Sequence, residues 1–225
     1  MRYGFLVFSF ALAWALPSQA ALLDPSAFDA SLFLPPPPAT DSARTQEELA
    51  ELRALAAGTS AERKAAAARD ARDETPDIFN GAIGFDIATK PQTRKLLQMV
   101  ADEEDTDSKV AKTFFHRPRP YVVDDTLATC EPKKPGKPAN SYPSGHSTLA
   151  FSMGVVLAHL MPAKAQAILA RSAEYAENRL ICGVHYRSDI VAGQQFGTVL
   201  ALKLIENATF KTQMQAASAE LALKN

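Results

Sequence analysis

The chain has 225 residues, room for one sizeable core and too few for two large domains. Hydrophobic residues make up 47% and charged residues 22%, an ordinary globular balance. A net charge of -1 argues against bulk electrostatic binding to nucleic acid or to an anionic membrane, so any anion-binding site must be local.

Residues 1–20 have the layout of a secretory signal. Arg2 supplies a short positive region and Phe5 to Leu16 an apolar stretch. Pro17-Ser18-Gln19-Ala20 then puts small residues at the two positions that precede cleavage after Ala20. A bilayer-spanning helix needs about 20 apolar residues, more than this run provides, and no later stretch is apolar enough. The expectation is a periplasmic or secreted protein with no membrane partner. In an oxidising compartment Cys130 and Cys182 could form a single disulfide. Two separate buried thiols are the alternative, since spacing alone does not show that the two Cα atoms approach.

Residues 21–225 read as one domain, opening with an extended, Pro-rich arm over 21–42. Leu34-Pro35-Pro36-Pro37-Pro38 cannot be helical and reads as polyproline wrapped against the body, with a free linker as the alternative. Asp41 or Ser42 can cap a helix to about Ala57, and a second helical stretch covers roughly 60–73. Residues 77–88 are mixed. Leu96, Leu97, Val100 and Ala101 recur at helical spacing and predict an amphipathic helix over 91–104. Asp102, Glu103, Glu104, Asp105 and Asp107 form an acidic run that lacks the glycine and terminal glutamate of a calcium loop, so it reads as a solvated face. A further helix over 108–116 is ended by Pro118 and Pro120. Residues 122–143 are loop-like. Helical patterns return at 144–160, 163–179 and 185–205. Strand signals are weak throughout, and the predicted fold is an all-α, single-domain helical bundle.

Three clusters carry chemistry. Lys112 and Arg119 lie at a helix end and its exit loop, where a point charge and a bidentate fork can converge on one anion. Ser144-Gly145-His146 follows, with Ser144 as a helix N-cap. Gly145 lets backbone approach a ligand, and the first N–H groups of the helix point at whatever anion sits there. His146 falls beside them, within reach of a leaving-group oxygen. The third cluster runs from Arg179 to His185 and Asp189. A helix would place His185 and Asp189 on one face, and a carboxylate bonded to one ring nitrogen leaves the other free to attack. The chain has four histidines, and two of them sit in these clusters. A nucleophile with its orienting carboxylate, an acid at a helix N-terminus and three cations suit phosphoryl transfer.

At these residues the chain resembles the class A bacterial nonspecific acid phosphatases, within the type 2 phosphatidic acid phosphatase and vanadium haloperoxidase superfamily. The superfamily pattern K-x6-R-P, P-S-G-H and S-R-x5-H-x3-D is met by Lys112 to Arg119-Pro120, by Pro143-Ser144-Gly145-His146, and by Arg179 to His185 and Asp189. Asn178 stands where the family has Ser, and Asn140 and Ser147 flank the second motif in place of Gly and Thr. The resemblance implies hydrolysis of small phosphomonoesters without metal or cofactor. In it His185 is the nucleophile that becomes phosphohistidine, Asp189 its orienter and His146 the acid. Lys112, Arg119, Ser144, Gly145 and Arg179 bind the phosphate. It also implies phosphotransfer to alcohols as a side activity and a homo-oligomer. The alternatives are a vanadate-dependent haloperoxidase, generally a much longer chain, and a non-catalytic anion-binding protein, from which His146 or His185 would be missing.

Overall fold

The computed structural model describes residues 21–24, 28–132 and 140–223. The expected signal at 1–20 lies outside the described residues. Among those described, the secondary structure is helical, with no strand and one isolated bridge between Pro118 and Asn140. In chain order the helices are α1 (Ala30–Phe33), α2 (Ala43–Gly58), α3 (Ala61–Asp70), α4 (Asn80–Ile83), α5 (Pro91–Phe115), α6 (Pro120–Val123), α7 (Gly145–Leu160), α8 (Ala165–Ile181), α9 (Arg187–Glu206) and α10 (Ala208–Ala222). The all-α expectation holds.

The N-terminal arm is packed, as its polyproline segment suggests, but it is not extended throughout. Asp29 caps the short α1 by accepting from the Ser31 N–H at 2.8 Å. Beyond it Leu34 is buried, Phe28 stacks on Phe196 at 5.0 Å, and the Tyr142 hydroxyl donates to the Pro35 carbonyl at 2.7 Å. These contacts hold the arm over α9 and over the residues that lead into α7.

α7 is the central helix and lies against α9, α8 and α5. Leu96, Leu97 and Val100 of α5, Leu149, Met153 and Val156 of α7, and Phe196, Leu200 and Leu204 of α9 form one buried cluster. Each such side chain stabilises the fold by about 1.5–3 kcal/mol. A second cluster joins Leu49 and Leu52 of α2 to Phe151 and to Tyr186 and Ile190 at the start of α9. The contact between α7 and α9 is close because α9 presents glycines. A Cβ on Gly193 would fall 2.6 Å from the Ser144 carbonyl oxygen, and one on Gly197 would overlap the Thr148 carbonyl. Backbone therefore touches backbone, and the N-terminal ends of α7 and α9 meet. There the Ser144 N–H donates to the Asp189 carbonyl at 3.0 Å.

Three sequence expectations are corrected. The segments 91–104 and 108–116 are one 25-residue helix, α5, because nothing between Pro91 and Phe115 breaks it. It stops where His116 turns left-handed at φ 52°, ahead of Pro118. The acidic run is not a solvated face. Asp102 and Asp105 are exposed, but Glu103, Glu104 and Asp107 are buried. Their positions continue the inward stripe of Leu96, Leu97 and Val100 along the same helix. Glu103 is satisfied by the N–H groups of Leu22 and Leu23 at 2.9 and 2.8 Å. Finally, α10 follows the helix expected to be last. Asn207 caps it through the Phe210 N–H at 3.0 Å, and Phe210, Met214 and Ala217 face the core.

Cys130 and Cys182 are bonded, with Cα atoms 4.7 Å apart and the Cys130 N–H donating to the Cys182 carbonyl at 3.2 Å. The bridge ties the loop after α6 to the C-terminal end of α8.

Asp107 yields a stability prediction. Burial, with Glu103 one turn away, pushes its carboxyl up to about 7, and its Oδ2 has no hydrogen-bond partner. The folded chain therefore holds this proton after the unfolded chain has lost it, and stability falls as pH rises from about 4 to about 7. Asp107→Asn should be neutral below that window and should stabilise above it by about 1–2 kcal/mol after screening. Thermal melts of both proteins across pH check this, and an Asn variant no more stable at pH 8 than the parent would contradict it.

Candidate active site

The N-terminus of α7 is built as a cradle. Ser144, fully buried, caps the helix by accepting from the Ser147 N–H at 3.4 Å and from the Ser147 hydroxyl at 3.1 Å. The first N–H groups of α7 have no carbonyl one turn back to meet. Gly145 opens the helix, and a Cβ there would fall 3.0 Å from the Lys112 Nζ, so only hydrogen fits comfortably between the cradle and the ammonium.

A cavity of about 190 Å³ opens at this point. Lys112 at the end of α5, Arg119 beyond it, Arg179 in the last turn of α8, Gly145 and His146 all line it. Burial, with Arg119 nearby, lowers the pKa of Lys112. Burial also lowers that of Arg119. Arg179 is 1% exposed. Its Nη2 meets Glu131 at 3.2 Å, while its Nε and Nη1 are buried without a partner. Guanidinium donors left unpaired in a dry site are costly unless an anion joins them.

His185 lies behind this wall, also 1% exposed. Its Nδ1 is 3.3 Å from Asp189 Oδ2, which leaves Nε2 as the ring atom free of that carboxylate. The expected pairing is present, but the helix face expected to make it is not. α9 begins at Arg187, so His185 precedes the N-cap Tyr186, and Asp189 sits in the first turn. Gly183 turns left-handed at φ 66° to deliver Val184 and His185 to this position. The Asp189 carboxylate then reaches back to the Tyr186 N–H at 2.9 Å, and His185 is caught on the same oxygen. Burial drives the pKa of His185 well below its usual value, and the charges of Arg119, Arg179 and Lys112 add to the effect. The surroundings thus favour the neutral imidazole.

His146 stacks on Tyr175, with ring centroids 5.5 Å apart, and its Nε2 lies 3.3 Å from both the Ala71 carbonyl and Glu74 Oε1. Burial, then the charges of Arg179 and His185, lowers its pKa well below normal too.

Several participants are not marked by any local motif. Arg117 lies between Lys112 and Arg119 in sequence but points away from the cavity. It is 4% exposed and donates to Asp189 Oδ1 at 2.6 Å, Glu48 Oε2 at 2.9 Å and the Ser188 hydroxyl at 2.6 Å, with its guanidinium 3.9 Å over the Tyr186 ring. The Ser141 hydroxyl gives Asp189 Oδ2 a further bond at 2.7 Å. Burial raises Asp189, against the opposing pull of Arg117 and these donors. Glu74, Glu104 and Glu131 also line the cavity. Asn178 does not. Its Nδ2 donates to Asp70 at 2.6 Å and ties α8 to α3, so this departure from the family pattern lies outside the cavity lining. Among the described residues no group of three or more His, Cys, Asp or Glu is placed to hold a metal ion.

Residues 96–212, which carry all three clusters, match the PAP2 superfamily. The chain belongs to the PAP2 superfamily. It is 32% identical to a non-specific acid phosphatase of Providencia stuartii, over 92% of this chain and 86% of the other. It is 29% identical to a non-specific acid phosphatase of Salmonella typhi, over 100% and 95%. It is 31% identical to an acid phosphatase of Zymomonas mobilis, over 86% and 75%. The resemblance to class A nonspecific acid phosphatases is thereby borne out. The fold is shared with a transmembrane PAP2-type phosphatidylglycerolphosphate phosphatase from Bacillus subtilis, at a TM-score of 0.57 and 19% identity over 76% of this chain and 89% of that one. Among the described residues of the present chain no helix is long and apolar enough to cross a membrane.

Arg117 supports a second prediction. Arg117→Met leaves Asp189 buried without a cation and Glu48 with only the partly exposed Arg44, which should cost about 3–5 kcal/mol in urea unfolding. Arg117→Lys restores the charge but not the fork, and should recover only part of that stability and of the turnover. Equal stability of the Met and parent proteins would show that the buried network carries no weight.

Proposed function

We propose that the protein is an exported acid phosphatase that hydrolyses small phosphomonoesters through a phosphohistidine on His185, without a metal. That it is a phosphomonoester hydrolase follows from its superfamily and its acid-phosphatase relatives. The observation that best supports the finer reading is Arg179, a buried guanidinium with two unpaired nitrogens. It converges with Lys112, Arg119 and the α7 N-terminus on one cavity. Such a set matches the three equatorial oxygens of a phosphoryl group in transfer, where fixed charge in a dry site is most effective.

In the proposed sequence the lone pair of His185 Nε2 attacks phosphorus and the ester P–O bond breaks. His146 gives its proton to the departing oxygen. Water then loses a proton to His146 and attacks the same phosphorus, the P–N bond breaks, and inorganic phosphate leaves. Asp189 holds the His185 Nδ1 proton throughout and stabilises the charge that the ring gains. His146 must enter the reaction protonated, although burial and the charges of Arg179 and His185 push its pKa down. A bound phosphoryl dianion reverses that local field and raises its pKa, so substrate binding would itself arm the acid. An alcohol in place of water would give phosphotransfer. The layout of residues 1–20 supports export to the periplasm or beyond.

Rapid-quench trapping with labelled substrate tests the scheme. The parent protein should give an acid-labile phosphoenzyme after exhaustive EDTA treatment, and His185→Ala should give none. His146→Ala should slow phosphorylation by about 10²–10⁴-fold for poor alkoxide leaving groups and much less for nitrophenyl phosphate. A phosphoenzyme in His185→Ala, or activity restored only by a divalent metal, would overturn the mechanism.

A further inference from the structure

Four carboxylates line the cationic cavity, and they differ in their freedom to leave it; Asp105 is exposed and pairs with Lys109. Glu74 meets His146 with 65% of its side chain exposed. Glu131 meets Arg179 with 25% exposed. Each can rotate into water as an anion enters. Glu104 has no such route. It projects from the interior of α5, is 6% exposed, and its Oε1 accepts the hydroxyl of Ser108 one turn along. That oxygen lies 3.6 Å from the point where a Cβ on Gly145 would fall, and the Lys112 Nζ lies 3.0 Å from the same point. A phosphoryl group seated on the α7 N-terminus and Lys112 is therefore brought against Glu104. An ionised carboxylate there would repel the dianion and compete for Lys112. A neutral carboxylic acid would instead donate a hydrogen bond.

We propose that Glu104 binds the phosphoryl group as a neutral acid, its Oε2–H donating to the oxygen held by Lys112, and that its ionisation closes the site to phosphate. The inference rests on the phosphatase reading of the cavity. The surroundings agree with it. Burial pushes Glu104 up to about 8, reinforced by Glu74 and Asp105 and opposed by the Ser108 hydroxyl and by Lys112. The charged and titratable groups that share its cavity are Asp105, Lys109 and Lys112 of α5, Glu74 from the segment after α3, His146 of α7, Arg119, Glu131, and Arg179 of α8. The surroundings thus favour the neutral acid. By linkage, bound phosphate raises it further and holds the proton in place.

The test is competitive inhibition of nitrophenyl phosphate hydrolysis by inorganic phosphate, from about pH 5 to about pH 10, in the parent, Glu104→Gln and Ser108→Ala. Taking the ratio of inhibition constants between proteins cancels the ionisation of phosphate itself. The Gln amide keeps a donor and cannot ionise. The parent should therefore bind phosphate progressively more weakly than the Gln variant above the Glu104 ionisation, by about tenfold per pH unit, with a constant ratio below it. Ser108→Ala removes a donor to the carboxylate, so its break should move to higher pH. A ratio independent of pH overturns the proposal and assigns any alkaline loss to Lys112. If Glu104→Gln does not fold, Ser108→Ala decides alone, and a break at the parent's pH overturns the proposal. Hydrolysis without phosphate inhibition at any pH would overturn the seating of phosphate on Lys112 and the α7 N-terminus, and no hydrolysis of nitrophenyl phosphate at all would overturn the phosphatase reading beneath it.

Discussion

The Asp189 carboxylate is the point on which the site hangs. One oxygen takes the Tyr186 N–H and the Ser141 hydroxyl and faces His185, and the other takes Arg117. The same group therefore starts α9, anchors the chain ahead of α7, and orients the imidazole. A carboxylate buried this completely needs a cation, and Arg117 supplies it while also reaching Glu48 on α2. Fold and chemistry are not separable here. Loosening any partner of Asp189 changes both the helix terminus and the direction in which His185 points.

Around that hub the electrostatics work in two layers. Burial, reinforced by the charges of Arg119, Arg179 and Lys112, drives the pKa of His185 well below normal, and burial with Arg179 beside it does the same to His146. In the proposed mechanism a nucleophilic His185 must be neutral in acid, where an ordinary imidazole would be protonated. The outer layer is acidic, with Glu74 meeting His146 and Glu131 meeting Arg179. Incoming phosphate thus exchanges one set of ion pairs for another. Binding then depends on the difference between the two sets, not on the bare attraction of three cations.

Much of this was legible in the sequence, and the exceptions share a cause. Ser144 and Gly145 could be read as a helix start because capping is local chemistry, and the structure places them there. Lys112, Arg119, Arg179, His146 and His185 could be grouped because their motifs recur in the family, although no local rule says that three distant segments meet. The role of Arg117 could not be read, since its partner Glu48 is 69 residues away. The burial of Glu103, Glu104 and Asp107 was written in the helical period that starts at Leu96, but charge masked it. His185 and Asp189 were correctly paired for an incorrect reason. Spacing of four suits a helix face equally with a capping turn, and only the left-handed Gly183 tells them apart. The thin inward stripe of α10 gave too little contrast to be noticed.

The glycines of α9 extend the reach of the site beyond its chemistry. Gly193 and Gly197 carry no functional group, yet the atoms nearest them include the backbone of Ser144 and Thr148, the first turn of the phosphate cradle. A flexible side chain could give way to a new methyl group, but a carbonyl in a capped helix cannot do so cheaply. A single added carbon would act as a wedge, levering α7 from α9 and drawing the anion cradle away from His185. The sequence space open to this enzyme is therefore narrow along a seam that carries no functional side chain, and selection for an intact cavity would be felt there as strictly as at the residues that line it.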